Sequence, residues 1–260
     1  MKIGLVFSGG GGKGSYQIGV WKALNELQLT KYIKGIAATS IGNVNSIFFM
    51  NKDIDESIYF WENIQRRDIA PIQKNLFKMI YSRSLSKKDN LKLLIDHNIN
   101  FEILATSDIE LICMCTHISW GFPKKKLFKL NYETREDVID IILGSCTIPF
   151  LFRAQKISRY PKSYFYDGCI MSRTPVECLD YNNYDKIIIV HLDNLNRFNP
   201  IKYNKKKYIN IYPSMYQGGL YRGTYGFTKK LAQKRIETGY LDAMKKLKHF
   251  KNLKIYESGE

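Results

Sequence analysis

With 260 residues, 45% of them hydrophobic, the chain is long enough for one compact domain with a sizeable core, and its composition asks for no second domain. A formal net charge of +16 attracts either nucleic acid or anionic membrane; no nucleic-acid fold motif accompanies the basic runs, so nucleic acid is not the expected partner. No apolar run approaches the roughly 18 residues of a membrane span, and the apolar residues after Lys2 are too few for a signal-peptide core.

In chain order, Lys2-Ile3-Gly4-Leu5-Val6-Phe7 reads as a short buried strand. It runs into Ser8-Gly9-Gly10-Gly11-Gly12-Lys13-Gly14, and a helix follows with Val20, Ala23, Leu24 and Leu27 on one apolar face. A glycine-rich loop between strand and helix offers backbone N–H groups to an anion, with the helix dipole behind them. A nucleoside-triphosphate loop does not fit, because Phe7 stands where its first glycine belongs and Gly14 where its magnesium-binding hydroxyl belongs. Gly9, Gly11 and Gly14 satisfy a dinucleotide fingerprint, yet the next strand ends in Ala38-Thr39-Ser40 without the acid that holds the ribose. The remaining anion is the oxyanion of an acyl-transfer intermediate. The next strand, Ile33 to Ala38, leads through Ser40 into the helix beginning Ile41-Gly42-Asn43-Val44. Strand, tight turn and helix with a serine at the apex is the arrangement that exposes a nucleophile, so loop and serine could lie side by side above a sheet.

Asp53 to Trp61 opens a helix with acids first, 75–83 is partly helical and basic, and Ser86-Lys87-Lys88-Asp89 opens another helix. Residues 53–100 could form a helical cap over the site or a plain helical layer. Glu110 to Thr116 is a strand, Lys124 to Leu130 its hairpin partner, and Thr134-Arg135-Glu136-Asp137 caps a helix. Ser163 to Tyr166 is a short strand ending at Asp167-Gly168; Lys186 to His191 is a β-branched run expected at the sheet centre; Lys207 to Tyr212 is a further strand. Tyr240, Ala243, Met244 and Leu247 mark a final helix. Alternating strands and helices predict an α/β fold: a mainly parallel central sheet with helices on both faces, one domain over 1–260. The five cysteines are odd in number and form no C-x-x-C, so free thiols in a reducing cytoplasm are expected.

Four stretches resemble a known family. Gly9 to Gly14 looks like the oxyanion loop of the patatin-like phospholipases, and Ala38-Thr39-Ser40-Ile41-Gly42 like their nucleophile elbow, with Ala38 in place of the first glycine. Gly144 to Phe152 is similar to their S-x-A-x-P-x-x-F stretch. Tyr166-Asp167-Gly168-Cys169 stands where they carry D-G-[GA], with Cys169 as a second departure. The resemblance implies a three-layer serine acyl hydrolase acting on membrane lipids, with Ser40 as nucleophile and Asp167 as base. N–H groups of Gly10, Gly11, Gly12 and Ile41 would form the oxyanion hole, and no metal or organic cofactor is implied. The residues themselves leave a rival base open, since His191 follows Asp167 in the order a Ser-Asp-His triad requires. His97 and His249 read as solvent-facing on helices, and His117 as lying in a polar turn after its strand. Lys13 either neutralises a lipid phosphate or caps the loop, and Pro149 shapes a turn beside the site. The expected location is cytoplasmic, with peripheral contact at an anionic membrane, to which the Tyr212 to Phe227 segment of aromatics, glycines and cations is suited. Two other functions remain in view: esterase or thioesterase activity on soluble acyl substrates, and non-catalytic binding of membrane or nucleic acid.

Overall fold

The computed structural model describes residues 1–51, 53–69, 89–119, 121–149, 152–193 and 205–257. The helix expected around 75–83 and the helix start at Ser86-Lys87-Lys88 lie outside the described residues.

Those residues form a seven-stranded sheet: β1 (Ile3–Phe7), β2 (Ile33–Thr39), β3 (Glu110–Ser119), β4 (Phe122–Lys129), β5 (Tyr164–Tyr166), β6 (Lys186–Val190) and β7 (Tyr208–Ile211). The order is β4-β3-β2-β1-β6-β7, with β5 paired to β3. Neighbours from β3 through β7 run parallel, while β4 and β5 pair antiparallel with β3. The chain builds outward from β1 through β2 and β3, then returns to β6 on the other side of β1. That reversal places a crevice at the C-terminal ends of β1, β2 and β6, where open α/β sheets bind ligands.

The strands are buried on both faces, which is why they read as continuous apolar runs. Along β6, Ile188 and Val190 enter one core and Ile187 and Ile189 the other. The first core lies under α1 (Ser15–Glu26), α2 (Ile41–Asn51), α3 (Ile54–Asn63), α7 (Arg135–Ser145) and α8 (Lys229–Glu257). Three further helices, α4 (Arg66–Ile69), α5 (Asp89–Asn98) and α6 (Phe101–Thr106), belong to the same side; α5 and α6 add Leu91, Ile95 and Leu104 to this core. The second core is covered, among the described residues, by the short turns Val176–Cys178 and Tyr181–Asn183. Among these residues no helix is long and apolar enough to cross a membrane.

Two local readings need correction. The apolar face expected for α1 was too narrow, because every residue from Ser15 to Trp21 is also buried. Helix α8 lies against that second side at a glycine crossing, where a Cβ on Gly19 would stand 1.9 Å from the Ile236 carbonyl oxygen. A Cβ on Gly239 would likewise meet the Tyr16 carbonyl at 2.1 Å. His117 is not in a turn. It lies within β3 and stacks on Phe165 with ring centroids 5.1 Å apart, because pairing with β4 and β5 prolongs the strand to Ser119.

Candidate active site

Strand β2 ends at Thr39 and α2 begins at Ile41, so Ser40 alone makes the joint. Its φ is +52°, a left-handed backbone that costs a serine about 1–3 kcal/mol and survives only where neighbours enforce it. The enforcement is visible. Ser145 Oγ accepts from the Ser40 N–H and from Asn43 Nδ2, both at 2.9 Å, and donates to the Met114 carbonyl at 2.6 Å. Gly42 lies so close over β1 that a Cβ would stand 2.5 Å from the Phe7 carbonyl oxygen. Ala38, by contrast, is a regular β2 residue paired with Phe7 and Cys113, so its Cβ needs no special backbone.

The Ser40 hydroxyl donates to Asp167 Oδ2 at 2.6 Å, joining residues 127 positions apart. Asp167 follows β5, and its backbone is held at both ends: its N–H donates to the Thr147 carbonyl at 2.8 Å, and its carbonyl accepts from Thr116 Oγ1 at 2.8 Å. Its other carboxylate oxygen, Oδ1, accepts from the Cys169 N–H at 2.8 Å. The turn-capping role and the contact with serine therefore coexist, one oxygen for each. Burial pushes the Asp167 carboxyl above the ordinary carboxylate value, against the hydrogen bonds from Ser40 and Cys169 and the charge of Arg173. Gly168 is required by space: a Cβ would lie 2.0 Å from Thr39 Oγ1 and 2.4 Å from the Met114 carbonyl oxygen.

The glycine loop turns beside this pair. Gly11 has φ +57°, and the N–H groups of Gly11 and Gly12 open a short helical turn, Gly11–Gly14, where the helix itself supplies no acceptor. The Ile41 N–H stands in the same position at the start of α2. The loop is tied from behind by Gln17 Nε2, which donates to the Ser8 carbonyl at 2.7 Å, and by Arg235 Nη1, which donates to the Gly12 carbonyl at 2.7 Å. Asn45 bridges the Gly14 carbonyl, Gln17 and the Trp61 indole. These polar groups hold the loop through its carbonyl oxygens, at Ser8, Gly12 and Gly14.

Beside Ser40 is a cavity of ≈ 40 Å³. Its walls are Gly11 and Ile41, the apolar Ile69, Leu91, Ile148 and Phe152, Cys146, and Thr224, Tyr225 and Phe227. Lys13 does not belong to that wall; its Cε lies near Gly223, and burial lowers its pKa. His191 is also elsewhere. Its Nε2 is 2.9 Å from Asn210 Oδ1, its ring stacks on Tyr212 at 4.1 Å, and burial lowers its pKa. Among the described residues no histidine hydrogen-bonds with Ser40 or Asp167. His97 is exposed on α5, as expected, and the side chain of His249 lies outside the described residues.

Sequence reading missed Ser145 and Arg235. Ser145 had a signal, since it opens the stretch similar to S-x-A-x-P-x-x-F; Arg235, 223 positions from Gly12, had none.

Comparison with known proteins agrees with this fold. The model of the patatin-like phospholipases matches residues 5–180, and the chain belongs to that family of lipid acyl hydrolases. Among solved structures, VipD from Legionella pneumophila is similar over 95% of this chain and 67% of its own, with TM-score 0.55 at 14% identity, a likeness of fold. The type III effector ExoU matches with TM-score 0.49 at 13% identity, covering 96% of this chain and 53% of its own. The ExoU–SpcU complex of Pseudomonas aeruginosa gives TM-score 0.49 at 14% identity, over 95% and 51%. This chain thus spans two thirds of VipD and about half of ExoU. No curated protein sequence matches it.

Proposed function

We propose that the chain hydrolyses an ester bond of membrane phospholipids with Ser40 as nucleophile and Asp167 as its base. The observation that carries this reading is the 2.6 Å hydrogen bond from the Ser40 hydroxyl to Asp167 Oδ2, made at a left-handed joint between strand and helix. A hydroxyl is a weak nucleophile until a base within hydrogen-bond reach takes its proton. Asp167 Oδ2 occupies that place, and the upward pKa shift caused by burial makes its carboxylate a stronger base than an exposed one.

In the first half-reaction Ser40 Oγ attacks the acyl carbonyl carbon while its proton passes to Asp167. The negative charge that develops on the carbonyl oxygen is met by N–H groups of the Gly10–Gly12 loop and of Ile41. The C–O bond to the lipid alcohol then breaks, the alcohol leaves with the proton from Asp167, and the acyl group remains on Ser40. In the second half-reaction water gives its proton to Asp167 and attacks the acyl-serine; the fatty acid departs as Ser40 recovers the proton. The apolar walls at Ile69, Leu91, Ile148 and Phe152 suit an acyl chain.

The whole is one domain with peripheral contact at an anionic membrane, and Lys13, which lies off the cavity wall, either neutralises the lipid phosphate or caps the loop. Incubating the protein and its Ser40→Ala variant with phospholipid vesicles and measuring released fatty acid tests the activity. Release is expected from the first and not from the second. An esterase of soluble acyl compounds would cleave a dissolved short-chain ester and spare vesicles, and a non-catalytic binder would cleave neither.

A further inference from the structure

Met215, Tyr216, Leu220 and Tyr221 are 39, 73, 57 and 75% exposed, a cluster of large apolar and aromatic side chains on one short segment. Scattered exposed hydrophobes need no explanation, but a group of them at the rim of a site does. The same segment continues into Thr224, Tyr225 and Phe227, which wall the cavity at Ser40. The Tyr225 ring, at the cavity end of the segment, has the Arg66 guanidinium 5.2 Å from its centroid.

The cluster is presented on a fixed backbone. Arg235, 4% exposed, donates to the carbonyls of Gly226 at 2.8 Å, Gln217 at 3.1 Å and Arg222 at 2.6 Å while also holding Gly12. Within the turn Leu220–Thr224, the Gly223 N–H donates to Gly219 at 2.7 Å and the Tyr225 N–H to Leu220 at 2.9 Å. The chain here is basic, although in the fold Asp242 accepts from the Ser214 N–H at 2.8 Å and Glu62 pairs with Lys229 at 3.4 Å. Residues 194–236 contain ten lysines and arginines and no aspartate or glutamate. Arg222 stands exposed inside the cluster, and Lys229 and Lys230 follow it. Rings and aliphatic tips fringed by cations match the water–lipid boundary, where aromatics sit at headgroup depth and cations meet phosphate.

We propose that residues 215–222 seat the enzyme on an anionic phospholipid surface, with Leu220 and Tyr221 entering the headgroup layer beside the mouth of the Ser40 site. This rests on the reading of the site as a hydrolase of membrane lipids, and it names the face that brings the site to them.

The test compares a Leu220→Ser/Tyr221→Ser double variant with Leu241→Ser, which removes a side chain 57% exposed on α8. Binding to vesicles of phosphatidylcholine and phosphatidylglycerol is measured by sedimentation in a Ser40→Ala background, so that lipid is not consumed. The double variant should bind at least about tenfold more weakly, the effect of withdrawing two apolar side chains from lipid, and Leu241→Ser should bind unchanged. With Ser40 restored, vesicle hydrolysis by the double variant should fall by a similar factor while turnover of a dissolved short-chain ester stays at the wild-type level. Equal vesicle binding by double variant and parent would overturn the proposal. So would equal losses on both substrates, which would mean that the cluster shapes the cavity, or a dimer that the double variant dissociates, which would mean a second copy covers it. Binding that depends on Leu220 and Tyr221, in a protein that hydrolyses no ester, would leave docking supported and defeat the hydrolase reading alone.

Discussion

At Asp167 the two carboxylate oxygens have separate duties, one holding the Cys169 N–H and the other the Ser40 hydroxyl. An amide in its place keeps the shape but cannot take the serine proton. Asp167→Asn should therefore lower turnover of a chromogenic ester by about 10³-fold or more, the scale of a general base. Its effect on stability has the opposite sign. Burial raises the folded-state pKa, so the native protein binds more protons than the unfolded chain between the ordinary carboxylate value and the raised one. Stability falls as pH rises through that window and stays reduced above it. The asparagine variant escapes this cost, and its Tm above the window should match or exceed that of wild type. In the wild type, activity should fall as pH drops through the raised pKa, where a protonated Asp167 no longer accepts. His191→Ala, measured on the same ester, should retain most activity because that ring faces Asn210 and Tyr212; the reverse ranking of the two variants would transfer the base role to His191. Ser145→Ala removes the acceptor for two buried donors and the donor to Met114. It should cost about 2 kcal/mol in denaturant unfolding and depress kcat as the Ser40 joint relaxes.

Among the elements, α8 has an unusual position, since it lies beyond the residues matched by the family and still grips the glycine loop. Arg235→Lys keeps the charge but replaces a rigid fork that reaches four carbonyls with a single ammonium. Turnover of a dissolved ester should fall about tenfold or more with KM little changed, as expected when donors to a transition state are misplaced; wild-type kcat in the folded variant would show that the loop holds its own shape. Gly19→Ala forces a methyl into the α1–α8 crossing and should destabilise by about 1–3 kcal/mol or more. What the sequence made legible follows from how local each cause is. The glycine loop and the Ser40 joint were readable because a sharp turn selects its own residues within a few positions. The β6 run was readable because burial on both faces writes Ile-Ile-Ile-Val directly into the chain. His117 was misplaced because its strand is prolonged by partners on β4 and β5, and α1 looked one-sided because its second cover is 226 positions away at the Tyr16–Asp242 bond. Ser145 and Arg235 act through backbone atoms of distant residues, and no spacing rule encodes such a partner.

For the molecule as a whole, the +16 charge and the apolar rim of the site act over different ranges. The field of the charge is screened within about 8 Å at physiological salt, whereas chemistry at Ser40 is local. Raising salt should therefore sharply reduce hydrolysis of vesicles containing anionic lipid and barely change hydrolysis of a dissolved short-chain ester. Equal sensitivity of the two substrates would remove the electrostatic contribution to docking. The expectations about turnover depend on Ser40 being an activated nucleophile, and that is open to direct measurement. The protein is exposed to a fluorophosphonate, and the modified residue is located by peptide mass spectrometry, with Ser40→Ala and Asp167→Asn treated in parallel. One adduct is expected, on Ser40, absent from the first variant and forming far more slowly in the second. No adduct in the folded wild type, or one that persists undiminished in Ser40→Ala, would contradict that role for Ser40.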